Sequence, residues 1–232
     1  PHAKSHKCPQ IAKLQIQDGA SGICCQKVSE AEVMVEAGIQ NILITNQIVG
    51  TKKIARLIDL AKLATVSVCV DNIINVDQLS RSAERGKVKI DVLAEIDVGT
   101  GRCGVRDEQE LLELARYIRN CKNLTFRGIQ AYHGRAQHVR DYQERRQHIR
   151  KASGIVGLAV ETLKQNEITC DLVSGSGTGT IEFEANNEIF NEVQPGSYIF
   201  MDGDYSKNLD ARGQPITTFC QSLFLLTTVM SR

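Results

Sequence analysis

The feature that most limits the fold of this sequence is a repeated alternation of short apolar runs with longer amphipathic stretches. The apolar runs are rich in β-branched residues and predict strands. Several are continuously apolar, which is typical of parallel strands covered on both faces. We predict strands at residues 23–26, 41–45, 65–70, 90–98, 125–132, 169–174 and 192–200. We predict helices at about residues 9–17, 29–37, 52–63, 75–85, 107–120 and 139–165.

Two sequence patterns predict where helices begin. Ser29 followed by Glu32 is a capping-box pattern, in which each side chain bonds the other residue's backbone N–H, and it predicts the start of the second helix. Asp107 and Glu108 suit the positively polarised start of another helix.

Strands that alternate with helices predict an α/β protein with a parallel sheet. Seven strands are predicted after Pro1-His-Ala-Lys4, and if this opening segment ends another strand the count is eight. Eight β/α units form a closed (β/α)8 barrel of the TIM type. The alternative is an open doubly wound sheet, which would carry a G-x-G-x-x-G turn after its first strand, and the sequence has none there. The barrel is therefore favoured.

The two ends of the chain predict its division into domains. Residues 1–212 are expected to form the barrel, without its N-terminal beginning. The apolar and β-branched run from Thr217 to Met230 is typical of a strand that begins new structure. Residues 213–232 are therefore expected to be the first strand leading into a C-terminal β-domain that is cut off.

The charge and the cysteines exclude several classes of function. With 28 Lys and Arg against 27 Asp and Glu, the net charge is +1, so no general attraction to nucleic acid or an anionic membrane is expected. No apolar run approaches the length of a membrane span. The 8 cysteines include no C-x-x-C pair and no Cys/His cluster at zinc-finger spacing. We interpret them as reduced thiols of a cytoplasmic protein.

In a barrel of this type the functional residues lie at the carboxyl ends of the strands and in the loops that follow. Lys4 ends the presumed first strand between two histidines. Partial burial there would lower the pKa of its amine and make it nucleophilic. A lone lysine in a loop is more often simply exposed. Lys27, which follows its own strand, is the competing candidate for a Schiff-base lysine.

Two loops predict an anion site. The seventh strand leads into Ser174-Gly-Ser-Gly-Thr-Gly-Thr180, and the eighth carries Pro195-Gly-Ser-Tyr198. Alternating glycines let backbone N–H groups converge on an anion, and the hydroxyls add donors. The loops after strands seven and eight are the usual phosphate site of this fold. Phosphate binding is therefore favoured over a flexible Gly/Ser linker.

Three further side chains follow strands five and six. Arg102 lies among glycines and could reach an oxyanion of a ligand, although a surface salt bridge is an equal alternative. Tyr132 could hydrogen-bond a ring nitrogen, and His138 could act as an acid, a base or a metal ligand. Either could instead be an ordinary aromatic at the barrel rim. Together, an amine, a phosphate cradle, an Arg, a Tyr and a His suit a cofactor with an aldehyde, a phosphate and an aromatic nitrogen.

Five motifs carry a resemblance that runs over essentially the whole chain and preserves their order. They are Pro1-His-Ala-Lys-Ser-His-Lys-Cys8, Gly22-Ile-Cys-Cys-Gln-Lys-Val-Ser-Glu-Ala-Glu32, Glu95-Ile-Asp-Val-Gly-Thr-Gly-Arg-Cys-Gly-Val105, Gln130-Ala-Tyr-His-Gly134 and Pro195-Gly-Ser-Tyr-Ile-Phe-Met-Asp-Gly-Asp-Tyr205. Together they resemble the D-threonine aldolase family. That family belongs with D-serine dehydratase and D-3-hydroxyaspartate aldolase among the alanine-racemase-like, fold-type III pyridoxal-phosphate enzymes.

The resemblance implies a role for each candidate residue. Lys4 would carry the cofactor as a Schiff base, Arg102 would contact its phenolic oxygen, and Tyr132 would face its pyridine nitrogen. His138 matches the histidine that the family places beside the substrate hydroxyl, where it helps to take the proton during cleavage. The phosphate would be held by Ser176, Gly177, Thr178, Ser197 and Tyr198.

The resemblance also implies an activity and partners. The expected activity is a carbon–carbon lyase that cleaves D-threonine or related D-β-hydroxy amino acids to glycine and an aldehyde. A divalent metal, manganese or zinc, would be held by ligands outside this chain, and the full-length protein would be a cytoplasmic homodimer. One alternative is a D-serine or D-3-hydroxyaspartate dehydratase, which loses the β-hydroxyl as water. The second is a non-catalytic barrel that carries pyridoxal phosphate.

Overall fold

The computed structural model describes residues 1–231, in which seven parallel strands follow one another in sequence order around a curled sheet. The strands are β1 (Ile23–Cys25), β2 (Asn41–Gln47), β3 (Thr65–Val70), β4 (Ile90–Glu95), β5 (Leu124–Ala131), β6 (Leu172–Gly175) and β7 (Glu192–Val193). The helices are α1 (Pro9–Gln17), α2 (Val28–Glu36), α3 (Thr51–Leu60), α4 (Ile73–Gly86), α5 (Glu108–Arg119), α6 (Tyr142–Gln165) and α7 (Ile181–Glu184). Short 3-10 helices lie at Ala3–Ser5, Arg135–His138, Ser197–Ile199 and Tyr205–Lys207.

The first two residues connect the two ends of the sheet. His2 pairs in parallel with Cys24 of β1, whose N–H donates to Pro1 O at 2.8 Å. On its other side, the His2 N–H donates to Pro195 O, just beyond β7, at 2.9 Å. Pro1 and His2 therefore occupy the place of the first barrel strand. The predicted α/β barrel is confirmed, with its first strand reduced here to these two residues.

The two faces of the strands bury different side chains, as alternation along a strand requires. Ile42 and Ile44 of β2 join the large apolar core that packs under the helices. Leu43, between them, joins a small cluster with Cys24, Cys69 and Leu93 on the opposite face of the sheet, inside the barrel. The interior is thus filled by apolar side chains below the level at which the strands end.

The helix starts follow local capping chemistry. Asp107 caps α5 by accepting from the N–H groups of Gln109 and Glu110, as its position in the sequence suggested. The capping box predicted at Ser29 and Glu32 is wrong, because α2 begins one residue earlier, at Val28, without a side-chain cap. The Glu30 carboxylate instead accepts from the N–H of Gln26 at 2.8 Å and fixes the turn before the helix.

Several predicted strands are too long at their carboxyl ends. The strand predicted at 90–98 stops at Glu95, because the chain folds back and Val105 exchanges backbone hydrogen bonds with Glu95 and Asp97. The strand predicted at 192–200 stops at Val193, since residues 197–199 turn into a 3-10 helix. In both places apolar side chains continue past the point where the backbone leaves the sheet.

No strand forms at residues 217–231. A strand requires a hydrogen-bonded neighbour, and the only backbone bond from this segment runs from the Ser222 N–H to Phe200 O at 2.9 Å. Its large apolar side chains, from Leu223 to Met230, are exposed. The division of the chain after residue 212 remains a prediction. None of the helices in the described part of the chain is both long and apolar enough to cross a membrane.

Candidate active site

Three of the predicted site residues, Lys4, Arg102 and Tyr132, meet at one end of the barrel. A narrow cleft there is lined by His2, Lys4, Gln26, Thr45, Arg102, Gln130, Tyr132 and Gln194. The competing lysine, Lys27, is exposed at the start of α2 and does not line this cleft. A larger cavity of about 730 Å³ lies at the opposite end of the strands and contains none of the predicted site residues.

The Lys4 amine has a depressed pKa. The residue lies in the 3-10 turn Ala3–Ser5, and its backbone N–H donates to His2 Nδ1 at 3.2 Å. Burial lowers the pKa of the amine most, and the nearby Arg102 guanidinium lowers it further, while Glu30 opposes them. A larger share of the amine is therefore neutral at physiological pH, and only the neutral amine can attack a carbonyl.

His2 accepts a hydrogen bond from the backbone of Lys4 and was not predicted as a site residue. It is buried, and its Nε2 lies 3.0 Å from Thr45 Oγ1. Burial, with repulsion from Lys4 and the N-terminus, lowers the pKa of His2 to about 3, so the ring is neutral. Because Nδ1 accepts from the Lys4 N–H, Nε2 must carry the proton and donate to Thr45. This pair fixes the turn that presents Lys4.

Tyr132 lies close to both cations of the cleft. Lys4 Nζ is 5.7 Å and the Arg102 guanidinium carbon 5.9 Å from the centroid of the Tyr132 ring, within cation–π range. Burial raises the pKa of the Tyr132 phenol well above its ordinary value, although Arg102 opposes the shift. The phenol is therefore neutral throughout the physiological range.

A buried carboxyl group anchors Arg102. Glu95 Oε1 lies 3.7 Å from Arg102 Nη2, and Glu95 Oε2 accepts from Gln47 Nε2 at 2.6 Å. Burial raises the pKa of Glu95, and the bond from Gln47 and the charge of Arg102 act against this. The sequence signal for Glu95 was an acidic residue at the end of an apolar run.

The two loops predicted to bind phosphate are hydrogen-bonded to each other. The Thr178 hydroxyl after β6 accepts from the Tyr198 N–H after β7 at 2.9 Å. Ser176 is buried and has a positive φ of 67°, which turns the loop sharply. In the described residues 1–231, the N–H groups of four loop residues donate to no acceptor of the protein. They are Gly177, Thr178, Gly196 and Ser197.

These loops fit a phosphate group. Four unpaired N–H groups in adjoining turns form the type of concave anion site that glycine-rich loops provide. A Cβ built on Gly177 would lie 2.5 Å from Gln137 Oε1 and 3.1 Å from Tyr132 Cε2, so the loop packs too closely against these two side chains for any residue but glycine. The Tyr198 hydroxyl is occupied by Gln15 Nε2 at 2.7 Å. The backbone of Tyr198, and not its phenol, therefore takes part in the contact between the two loops.

His138 lies on a neighbouring surface instead of in the cleft. It ends the 3-10 helix Arg135–His138, and about half of its side chain is exposed. Its Nδ1 is 2.7 Å from Asp204 Oδ2, and its ring lies 4.9 Å from that of Tyr205. Arg140 holds the same aspartate through Asp204 Oδ1 at 2.5 Å. The imidazole is therefore oriented by a carboxylate that is itself fixed. Within residues 1–231, no three His, Cys, Asp or Glu side chains are grouped closely enough to hold a metal ion.

The amino-acid sequence matches a known protein family and two curated enzymes. The alanine racemase N-terminal domain family matches residues 2–204, which is most of the chain. The chain belongs to that family. Among curated proteins, it is 49% identical over 232 residues to a D-threonine aldolase of Arthrobacter sp. It is 44% identical over 234 residues to a 3-hydroxy-D-aspartate aldolase of Paracoccus denitrificans.

Solved structures give the same alanine-racemase-like architecture. The D-threonine aldolase of Filomicrobium marinum superposes with a TM-score of 0.95 at 44% identity, over 100% of this chain and 62% of that one. The D-threo-3-hydroxyaspartate dehydratase of Delftia sp. HT23 gives 0.79 at 25% identity, over 87% of this chain and 54% of that one. The matches to the Arthrobacter and Paracoccus aldolases cover 100% and 99% of this chain but 60% of each relative.

Proposed function

We propose that the protein is a pyridoxal-phosphate-dependent lyase that cleaves D-threonine or a related D-β-hydroxy amino acid to glycine and an aldehyde. The observation that carries the proposal is the meeting of Lys4, Arg102 and Tyr132 in one cleft beside paired phosphate-type loops. Similarity to two proteins named as aldolases, at 49% and 44% identity, supports the same reaction type.

The proposed roles follow from the chemistry of the side chains. Lys4 would hold the cofactor aldehyde through its amine, whose pKa is lowered by burial and by Arg102. Arg102 would bind the phenolic oxygen, and the neutral Tyr132 phenol would face the ring nitrogen. The phosphate would be bound by the N–H groups and hydroxyls of Ser176, Gly177, Thr178 and Ser197, with the backbone of Tyr198. Bound pyridoxal phosphate would supply an electron sink for the bond that breaks next to the amino acid's α-carbon.

His138 is the proposed acceptor of the β-hydroxyl proton. A neutral imidazole in hydrogen-bond reach of a hydroxyl can take its proton, and Asp204 at Nδ1 would leave Nε2 as the accepting atom. A manganese or zinc ion bound by the full-length protein would acidify the same hydroxyl. We also propose that the protein acts as a cytoplasmic homodimer.

A second candidate uses the same residues. A dehydratase would release the β-hydroxyl as water and give a keto acid and ammonia. It is favoured by the likeness to the Delftia D-threo-3-hydroxyaspartate dehydratase, at 25% identity and a TM-score of 0.79. A non-catalytic carrier of pyridoxal phosphate would need only the cleft and the phosphate loops.

Product analysis distinguishes the three. The complete protein is incubated with pyridoxal phosphate and manganese, and D-threonine, L-threonine, D-serine and D-3-hydroxyaspartate are supplied separately. Glycine and acetaldehyde from D-threonine but not from L-threonine support the aldolase. A keto acid and ammonia replace it with the dehydratase. Cofactor binding without any product favours the carrier.

A further inference from the structure

A carboxyl group is buried directly under the glycine-rich loop. Glu184, the last residue of α7, has no exposed surface. Its Oε2 accepts from the Thr180 hydroxyl at 2.5 Å. Ser176 acts on the same carboxyl and lowers its pKa, but Oε1 has no hydrogen-bond partner within residues 1–231. Nothing in the sequence predicts a site role for Glu184, because it lies outside the loop motif.

Among residues 1–231, no Lys, Arg or His side chain forms an ion pair with this carboxyl. In the described part of the chain the nearest ion pair of α7 joins Arg145 to Glu182, at 3.6 Å, not to Glu184. The Glu184 carboxyl is close enough to Tyr132 to help raise the pKa of that phenol, which is neutral. The other groups around the loop are uncharged, namely Ser176, Thr180 and Gln137, which accepts from Gly179 N at 3.0 Å. Burial raises the pKa of Glu184 to about 7, and its contacts with Thr180 and Ser176 only partly oppose this.

An ionised Glu184 competes with a phosphate for the same loop. The carboxylate attracts the Ser176 and Thr180 donors toward α7, whereas a phosphate attracts loop donors toward the cleft. Two anions that share a poorly solvated site repel each other strongly, and the weaker acid binds a proton. Protonation removes the charge and turns one oxygen from an acceptor into a donor.

We infer that Glu184 is a positioning residue of the phosphate loop that takes up a proton from solvent when a phosphate-bearing ligand binds. The inference rests on the proposed binding of pyridoxal phosphate and extends it to a residue beneath the loop. Phosphate binding should therefore weaken as the pH rises above neutrality. Glu184 is then ionised in the free protein and must take up a proton when the ligand binds.

Proton uptake can be measured directly by titration calorimetry. The complete, cofactor-free protein is titrated with pyridoxine 5'-phosphate, which has no aldehyde and cannot react with Lys4. Each titration is repeated in two buffers of different ionisation enthalpy, so that the difference in heat counts the protons bound. Glu184→Gln is the test variant. Glu188→Gln is the matched control, since it removes the same charge from an exposed position in the same segment.

The native protein and Glu188→Gln are expected to bind about half a proton more than Glu184→Gln at pH 7, and close to one more at pH 8. Their affinity should also fall with pH more steeply than that of Glu184→Gln, approaching tenfold per pH unit above neutrality. The titration of the ligand's own phosphate, near pH 6, is common to all three proteins and cancels.

A second variant keeps the Glu184 carboxyl and raises its pKa. Thr180→Val removes a donor that lowers the pKa of Glu184, so the pH of maximal proton uptake should shift upward. Equal proton uptake in native protein and Glu184→Gln, or no shift in Thr180→Val, would overturn the inference and leave the cofactor assignment standing. Failure of all variants and of the native protein to bind the ligand would overturn both.

Discussion

The Lys4 amine nitrogen lies 5.7 Å from the centroid of the Tyr132 ring, so a residue near the start of the chain faces one that directly follows β5. Arg102 approaches the same ring, at 5.9 Å. The arrangement places two cations beside one neutral phenol. It also lowers the pKa of the more easily deprotonated cation, Lys4.

Replacement of Lys4 should abolish covalent attachment of the cofactor. Lys4→Ala removes the cleft amine, whereas Lys27→Ala removes the competing lysine, which lies outside the cleft. We expect borohydride to trap pyridoxal phosphate on native protein and on Lys27→Ala but not on Lys4→Ala, as located by peptide mass spectrometry. Trapping on Lys27 in the native protein would contradict the assignment.

The Arg102 charge should set the pH at which Lys4 reacts. Because Arg102 lowers the pKa of Lys4, Arg102→Met should raise that pKa and move the rate profile of cofactor attachment to higher pH. The rate at pH 7 should fall by less than about tenfold, since tenfold corresponds to one whole pH unit. Arg106→Met, at an exposed arginine, is the control and should leave the midpoint unchanged. An unshifted midpoint in Arg102→Met would remove Arg102 from this role.

The positions of the strands could be predicted from the sequence because most of them contain a run of buried apolar side chains. β3 was predicted residue for residue, at 65–70. The ends of the strands could not be predicted where backbone hydrogen bonding, and not hydrophobicity, determines the residue at which a strand stops. Ile96 and Val98 are buried like strand residues. They nevertheless belong to a loop, since Asp97 Oδ1 accepts from the N–H groups of Gly99 and Thr100 and closes a turn.

The site was predicted where its residues stand in recognisable motifs. Lys4, Arg102 and Tyr132 were predicted in this way, and the structure brings them together because they follow strands that end on the same side of the barrel. Glu184 was missed, since its place beneath the loop depends on how α7 packs. His2 was noted only as a neighbour of Lys4, because its bond to Thr45 joins residues 43 positions apart.

His138 should affect catalysis without affecting cofactor binding. We expect His138→Ala to lower kcat by about 10²–10⁴-fold, the range for loss of a general acid or base. Asp204→Asn should have a smaller effect, because it leaves the imidazole in place while weakening the contact that orients it. His148→Ala, in α6 and partly exposed, is the control. Steady-state rates of glycine formation and titration of the cofactor separate the two effects, and unchanged kcat in His138→Ala would reject the role.

Gly177 should tolerate no side chain. Gly177→Ala would place Cβ against Gln137 and Tyr132, and overpacking of this kind costs about 1–3 kcal/mol. It should also weaken cofactor binding. Gly154→Ala, in α6 with nothing within 4 Å of its Cβ, should instead stabilise by about 0.5–1 kcal/mol. Denaturant unfolding of both variants tests the contrast, and similar changes in both would count against close packing at Gly177.

The pKa of Glu184 should also appear in the stability of the cofactor-free protein. Burial, the largest cause, raises this pKa from 4.5 to about 7, so the folded carboxyl holds its proton more tightly than the unfolded one. Its contribution to stability is therefore fully present below pH 4.5 and is lost as the pH rises through 7, by roughly 3 kcal/mol in total. Glu184→Gln has no such proton to lose. Its free energy of unfolding, measured in denaturant from pH 5 to pH 8, should fall less than that of native protein and of Glu188→Gln. Parallel curves for all three would show that Glu184 does not titrate in this window.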